Sequence, residues 1–425
     1  MVFLQKLEAH LGFPLNLKNS FISCCVLLFP GLIPVVEHSG GVIFILLTLA
    51  GLIFSLDERK NLEPWEKHIF LGFLIFFLVC LLSLINTQDM DAGMQRVEKL
   101  LHFPFAFFAY LFIRSARIDL TRVFIYGLCL GAVILFSASA YEIFVLGYSR
   151  ARGAYYSILF GDQAVIVASL LLASSLLFFR YLNSRLIGML FVVFAMATSI
   201  LAAGKGGWLF IPIALSTLFV LIIVVRDYKS LMLLGGVIGF VGFIWLLALT
   251  LNIGIVKSSS DAVVNLVLNP GDSSVVALEV RKSLWGHAIK IWKSHPVIGT
   301  GLGDFLADNR LLVGDNEGYS KDRFAHAHNI FFNALATTGS LGFFFLVFCI
   351  FVYPLSRFLI YKDECWRSKE SVFLFCISCF VVIAFFVFGL TEAWLDRNPF
   401  VRSYLLFFVV VCSLLAYKRS RNALR

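Results

Sequence analysis

The stretch SVFLFCISCFVVIAFFVFGL, residues 371–390, contains 20 residues and no charged side chain. About 20 apolar residues in a helix span the hydrocarbon core of a bilayer, because a helix pairs its own backbone N–H and C=O groups. Eleven further runs of this kind predict an all-α integral membrane protein with about 12 transmembrane helices. The predicted spans are residues 20–37, 40–56, 68–86, 100–113, 123–146, 157–179, 186–202, 207–225, 231–253, 338–360, 371–390 and 400–417.

The composition excludes a soluble domain and favours a single polytopic membrane domain over residues 1–425. Hydrophobic residues make up 60% of the chain, charged residues make up 14%, and the mean hydropathy is +0.90. These values lie outside the range of soluble proteins. The run 100–113 is short and contains His102 and Pro104, so we expect this span to be tilted or broken. Residues 1–20 lack a small-residue cleavage pattern, which indicates a retained tail.

The positive charges predict the orientation, because Lys and Arg are retained on the cytoplasmic side of a membrane. Every second loop is basic. The Lys and Arg residues of these basic loops are Arg59, Lys60, Lys67, Arg114, Arg117, Arg122, Arg180, Arg185, Arg226, Lys229, Arg357, Lys362, Arg367 and Lys369. The C-terminal segment 418–425 is basic as well, so both termini are expected in the cytoplasm. The net charge of +9 is dispersed between helices, which argues against a nucleic-acid partner.

Several cations fall on the opposite side, where short loops normally contain few. They are Arg150, Arg152, Lys205, Arg397 and Arg402, and they stand near Glu142, Asp162 and Glu392. Cations kept there against the insertion bias predict an anion site at the outer membrane face. The alternative is that single arginines reach outward to lipid headgroups.

Residues 254–327 are predicted to form one large outer loop between the ninth and tenth helices, too long for a simple connector. Apolar residues recur with helical spacing from 276 to 292 and predict an amphipathic helix in that loop. Arg281 stands one turn before Trp285 on the same side of this helix. The helix either contributes to a site or anchors the loop in the interface, with Trp285 and Trp292 at headgroup level.

Two motifs in this region suggest chemistry. Gly299, Gly301 and Gly303 resemble a phosphate loop, but no GK[ST] follows, so we predict a turn after Pro296. His326 and His328 have no carboxylate or cysteine at a ligand spacing in the sequence, so we predict no zinc site and favour general-base chemistry instead. Asn329 is suited to orient a histidine ring. The short apolar stretch 330–338 is expected to dip into the membrane before the helix proper, and Gly339 and Gly342 permit close backbone packing there.

His328-Asn329, nine residues, and then Gly339-x-x-Gly342 resemble the signature of the O-antigen ligase family, within the O-antigen ligase and polymerase superfamily. The large outer loop, Arg281 with Trp285, residues 296–303, Arg152-Gly153 and Glu392 are similar to the same family. Where the family commonly has Ser-Arg-Gly, this chain has Gly204-Lys205-Gly206, which keeps the charge but loses the bidentate guanidinium.

The resemblance implies a GT-C-like glycosyltransferase in the inner membrane of a Gram-negative bacterium, with its active site facing the periplasm. Such enzymes transfer a glycan from undecaprenyl diphosphate to a sugar hydroxyl of lipid A-core, with inversion and without a metal or other cofactor. The implied catalytic residues are His328 and Arg281. The implied substrate-binding residues are Arg150, Arg152, Lys205, Trp285, His326, Asn329 and Glu392.

Three alternatives remain open. A surface-polysaccharide polymerase has the same fold and takes a growing glycan as its acceptor. A protein-glycosylating relative is the second alternative. A transporter of lipid-linked glycans is the third, and it is disfavoured because transporters place ionisable residues near the bilayer midplane, where these spans have few.

Overall fold

The computed structural model describes residues 17–250, 276–313, 324–360 and 368–423. Over these ranges all regular structure is helical, which confirms the predicted all-α class. The helices are α1 Leu17–Val35, α2 Ser39–Phe54, α3 Pro64–Leu82, α4 Met90–Leu100, α5 His102–Arg114, α6 Leu120–Ala140, α7 Ser157–Ala173, α8 Leu182–Ala202, α9 Phe210–Val224, α10 Tyr228–Thr250, α11 Val276–Ser294, α12 Phe305–Val313, α13 Ile330–Phe345, α14 Tyr353–Ile360, α15 Lys369–Gly389 and α16 Asn398–Ala423. Shorter helical segments are Leu56–Asn61, Ser83–Asn86, Tyr141–Val145, Ser174–Phe178, Gly207–Leu209, Leu346–Val352 and Trp394–Asp396.

The lengths of the helices agree with a multi-pass membrane protein. Among the described residues, nine helical runs are long and apolar enough to cross a bilayer. Helices α2, α5 and α10 cover the other predicted spans. With 13 residues at 1.5 Å each, α5 is too short to cross a core of about 30 Å, as expected for the short run around Pro104. The total of about 12 crossings stays a prediction, and residues 254–275 and 314–323 of the predicted loop 254–327 lie outside the described residues.

Three helices form the centre of the bundle and end at the candidate site. Almost every residue of α7, α15 and α16 within the membrane-crossing range is buried, so these helices are apolar on all sides. Asp162 lies in the first two turns of α7, and Glu392 lies in the short connection between α15 and α16. The central helices therefore fix the positions of polar residues at one end of the bundle, which we call the site end.

Helix α13 is broken at Gly339, whose φ of 66° lies in the left-handed region. The break leaves backbone groups without helical partners on both of its sides, and segment 296–301 pairs with them. The N–H groups of Ser340 and Leu341 donate to the carbonyls of Pro296 (2.9 Å) and Val297 (3.1 Å), and the N–H groups of Thr300 and Gly301 donate to the carbonyls of Ala336 (3.2 Å) and Thr337 (3.0 Å). The close backbone packing predicted at Gly339 is confirmed.

The glycines of segment 299–303 are packed against other backbone. Gly299, Gly301 and Gly303 all have positive φ, and a Cβ atom on any of them would lie within 2.6 Å of a neighbouring residue. Asp304, which follows them, is fully buried and accepts the N–H groups of Gln88 (2.7 Å) and Asp89 (3.1 Å). These contacts support the predicted turn, since a loop that binds phosphate needs its amides exposed to the ligand.

We expect Gly339→Ala to lower the stability of the protein by at least about 2 kcal/mol, because the new Cβ would lie 2.3 Å from the Val297 carbonyl oxygen at a positive φ. The matched control is Gly236→Ala in α10, where no atom lies within 4 Å of the added Cβ and alanine favours the helix. Thermal unfolding of both variants in detergent measures the difference. Equal melting temperatures would contradict this account of the break.

Candidate functional site

Two histidines and one glutamate meet at the site end. His328 Nδ1 lies 3.3 Å from Glu392 Oε2, and His326 Nε2 lies 3.5 Å from Glu392 Oε1. The two imidazole rings are 4.4 Å apart between centroids and inclined by 71°. The side chains of Glu392 and His326 are buried, whereas the side chain of His328 keeps 25% of its surface exposed. Glu392 therefore accepts a hydrogen bond from the ring of His328 and lies close to the ring of His326, and only the ring of His328 is partly exposed.

The contact with Glu392 determines the tautomer of His328. A carboxylate only accepts hydrogen bonds, so Nδ1 of His328 must carry the proton. In the neutral ring Nε2 then carries a lone pair, and no hydrogen bond from the described residues occupies it. This is the form in which histidine removes a proton from a hydroxyl group.

Burial alone would raise the pKa of Glu392, but the hydrogen bond from His328 and the electrostatic attraction of His326, His328 and Arg397 outweigh it and lower the pKa below its usual value. Glu392 is therefore ionised at neutral pH. An ionised carboxylate stabilises the imidazolium that forms when a histidine accepts a proton.

His326 is a different kind of residue from His328. Its ring is buried, and Nε2 lies 3.1 Å from a guanidinium nitrogen of Arg397. Burial lowers the pKa of His326 to about 4. Arg397 in turn stacks over the ring of Tyr156, with Cζ 5.1 Å from the centroid. His326 is thus a neutral residue that positions its neighbours.

The backbone around His328 is fixed by Asn329. The Asn329 side-chain oxygen accepts the N–H groups of Phe331 (2.9 Å) and Phe332 (3.2 Å) as the N-cap of α13, and its amide nitrogen donates to the Leu390 carbonyl (3.0 Å). His328 itself has a φ of 49°, a conformation that costs a non-glycine residue energy. Both ends of the Asn329 amide bond to backbone groups and not to an imidazole, so the predicted role of Asn329 in orienting a histidine ring stays a prediction.

A buried ion pair joins the two loops that carry the site. Arg96 in α4 lies 2.8 Å from Asp396, at 16% and 9% side-chain exposure, and it also donates to the Ala325 carbonyl (3.4 Å). The Asn333 amide donates to Asp396 (3.4 Å). The pair therefore links segment 324–329 to the Glu392–Arg397 connection. Sequence analysis missed Arg96, although its place in a loop predicted on the outer side was a usable signal.

The predicted cations are distributed around this end of the bundle. Arg150 and Arg152 are exposed in the loop before α7, and the Arg152 guanidinium stacks on Tyr148 at 4.3 Å. Glu142 accepts the backbone N–H groups of Arg152 and Gly153, which fixes this loop. Arg402 makes a different contact from these two arginines, because its Nε donates a hydrogen bond to His102 (3.0 Å).

Lys205 stands in a glycine turn that packs closely on the site. A Cβ atom on Gly206 would lie 2.4 Å from Thr391 Oγ1, and one on Gly207 would lie 2.4 Å from Asp162 Oδ1. Thr391 precedes Glu392 directly, so the turn of Lys205 borders the histidine cluster. Glycine at both positions permits this approach.

The predicted helix 276–292 is confirmed as α11, and of the two alternatives left open for it, the packing of its apolar face favours a contribution to the site over an anchor in the lipid interface. Leu284, Ala288 and Ile291 on its apolar face are buried against protein. Trp285 stacks on Phe332 and donates to the Ala327 carbonyl (3.1 Å), between the two site histidines. Trp285 therefore docks α11 on the histidine segment. Arg281 stands one turn earlier on α11 and is half-buried.

The sequence argument against a metal ion was incomplete, because the fold brings Glu392 to the histidines. His326, His328 and Glu392 offer three ligand atoms within 4.8 Å of one another. The guanidinium of Arg397 nevertheless lies 3.1 Å from Nε2 of His326, close to where a metal ion bound to that nitrogen would lie. A fixed positive charge at that position favours an anion over a cation.

Comparison with known proteins shows a similarity over part of the chain. Residues 190–347 match the family model described as O-Antigen ligase. The chain is therefore similar to the O-antigen ligase family over this segment. The matched segment includes Lys205, Arg281, His326 and His328, whereas Glu392 lies outside it. An uncharacterized protein of Haemophilus influenzae is 23% identical over 418 residues, which cover 95% of this chain and 99% of that relative. The match supports, at a coarse level, a membrane transferase of the ligase or polymerase type.

We expect His326 to make the stability of the protein depend on pH. Its pKa is about 4 in the folded protein and about 6.5 when unfolded, so the unfolded chain binds the proton first as the pH falls. The contribution of neutral His326 to the free energy of unfolding is complete above about pH 6.5. It declines by about 2 kcal/mol as the pH falls to about 5. Melting temperatures of the wild type should fall over this range, and those of His326→Gln should fall less. The control is His295→Gln, which changes an exposed histidine and should show the pH dependence of the wild type. If the melting temperature of His326→Gln fell with pH as steeply as that of the wild type, His326 would not be the source of the dependence.

We expect Arg96→Gln to destabilise the protein by about 3 kcal/mol, because it leaves the buried Asp396 carboxylate without its cation. The double variant Arg96→Gln/Asp396→Asn should be more stable than the sum of the two single effects predicts. Lys60→Gln, which breaks an exposed pair with Asp57, should cost less than about 1 kcal/mol. Additive single effects in thermal unfolding would show that Arg96 and Asp396 do not interact.

Proposed function

We propose that this protein is an O-antigen ligase. It transfers a polysaccharide from undecaprenyl diphosphate to a sugar hydroxyl of lipid A-core at the periplasmic face of the inner membrane. The observation that carries the proposal is the His328–Glu392 pair, in which Glu392 holds Nδ1–H and leaves Nε2 open. The family match gives the ligase or polymerase type, and the acceptor and the membrane face are part of the proposal.

In the proposed reaction the acceptor oxygen attacks the anomeric carbon of the donor glycan. The new carbon–oxygen bond forms as the bond between that carbon and the phosphate oxygen breaks, and the electron pair leaves with the diphosphate. The hydroxyl proton passes to Nε2 of His328, and the resulting imidazolium is stabilised by the ionised Glu392. One displacement inverts the anomeric configuration.

The leaving diphosphate gains negative charge, and cations at the site end are suited to stabilise it. Arg152 and Arg150 are exposed before α7, Lys205 lies in the turn beside Thr391, and Arg281 lies on the helix that Trp285 docks against Ala327. We assign these four side chains to the diphosphate. Fixed guanidinium and ammonium groups in a partly dry site act on developing charge without reorganisation, which allows the reaction to proceed without a metal ion.

The proposed orientation follows from the opposite end of the bundle. Basic residues predicted on the cytoplasmic side lie there in paired clusters. Arg114 contacts Glu66 (2.7 Å), and Arg185 and Lys369 both contact Asp227 (3.2 and 2.7 Å). With those clusters in the cytoplasm, the histidine site faces the periplasm.

The test is transfer by the purified protein in liposomes with an undecaprenyl-diphosphate-linked polysaccharide and lipid A-core. His328→Ala should lose at least about a hundredfold in rate, because it removes the general base. Glu392→Gln should also lose activity, because an amide no longer fixes the tautomer or stabilises the imidazolium. Wild-type activity should persist in excess chelator.

The matched control is His295→Gln, which removes an exposed histidine in the segment that follows α11 and should retain wild-type transfer. Elongation of the lipid-linked glycan without transfer to core would instead identify a polymerase. Full transfer by His328→Ala would exclude His328 as the base. Loss of activity in chelator would identify His326, His328 and Glu392 as metal ligands.

A further inference from the structure

An apolar groove lies toward the opposite end of the bundle from the histidine site. It is a groove of about 380 Å³ between α3 and α5. Its walls are Phe70, Leu71 and Leu74 of α3 and Pro104, Phe107 and Phe108 of α5. A volume of this size is in the range of small-molecule sites, and the walls are almost entirely hydrocarbon.

The groove exists because α5 is short and aromatic side chains close its inner side. Phe70 is buried, with its ring 5.6 Å from Phe107 and 4.7 Å from Tyr110 between centroids. Leu71 and Leu74 line the outer edge and keep 50% and 39% of their surface exposed. The groove therefore opens sideways, toward the surface that a membrane protein presents to lipid tails.

One cation stands at the polar end of the groove. Lys67 lies in the first turn of α3 and is exposed, and it shares a helix face with Phe70, Leu71 and Leu74. Among the described residues, no carboxylate oxygen lies within 4.0 Å of its ammonium group. The neighbouring cations differ, because Lys60 is paired with Asp57 and Arg114 with Glu66.

The dimensions fit a lipid with one charged end. From Lys67 to Leu74 the helix rises by about 10 Å, so the apolar wall continues from the cation into the hydrocarbon region. Helix α3 then continues for another two turns toward the residues that pack on segment 299–304. The groove is therefore separate from the histidine site and lies at the end where the basic loops meet the membrane.

We propose that this groove binds a phospholipid with an anionic headgroup, whose acyl chain lies along Phe70, Leu74 and Phe107 while its phosphate contacts Lys67. A water-filled groove is disfavoured by the apolar walls, since a buried water needs two or more polar partners. An anionic headgroup is favoured over a zwitterionic one because the groove presents a single positive charge. The proposal stands independently of the glycosyltransferase assignment.

Native mass spectrometry of the full chain in detergent tests the proposal, with phosphatidylglycerol and phosphatidylethanolamine titrated separately. We expect the wild type to retain one phosphatidylglycerol more tightly than phosphatidylethanolamine. Lys67→Gln should weaken retention of phosphatidylglycerol about fivefold, the effect of about 1 kcal/mol for one cation near an anionic lipid. Leu74→Trp should abolish retention by filling the groove.

Two control variants separate this site from general contact with lipid. Lys60→Gln removes a cation at the same end, and Leu78→Trp adds an indole one turn further along α3, outside the groove. Both should retain the lipid as the wild type does, and a thermal melt of each variant verifies folding. Equal retention of the two phospholipids by the wild type, or equal loss in Leu74→Trp and Leu78→Trp, would overturn the proposal.

Discussion

The site depends on the need to pair one buried carboxylate. Glu392 is 1% exposed, and an isolated carboxylate at that position would be strongly unfavourable. His328 donates a hydrogen bond to Glu392, and the positive charge of Arg397 acts on the carboxylate while its guanidinium contacts the ring of His326. These contacts orient both rings and leave His326 buried and His328 partly exposed. The pairing of the carboxylate and the proposed catalytic geometry therefore involve the same residues.

The same requirement for pairing applies to the backbone. A helix that breaks inside a membrane protein must find other partners for its free N–H and C=O groups. Segment 296–301 provides these partners at Gly339, and that junction brings α11 and its arginine to the start of α13. Gly339 of the signature therefore has a structural explanation, whereas the role of the histidine is the proposed one.

Much of the fold could be predicted from local sequence. Apolar runs such as 371–390 have only one stable structure in a bilayer, and the helical spacing in 276–292 identified α11. The environment of α11 could not be predicted, because Leu284 and Ile291 would be equally well buried by lipid or by protein. Arg96 was missed for a related reason: its partner Asp396 is 300 residues away, and an ion pair has no sequence periodicity.

The sequence by itself determined the membrane class and most of the helix positions, and it identified the motif in which His328 precedes Gly339 and Gly342. These features depend on local composition and spacing. Only the tertiary structure decided which histidine is open to a substrate, since that depends on Glu392 and Arg397 from a distant connection. Hydrophobicity acts residue by residue and is visible in a linear chain. The orientation of an imidazole ring depends on which atoms surround it, and these are brought together only by folding.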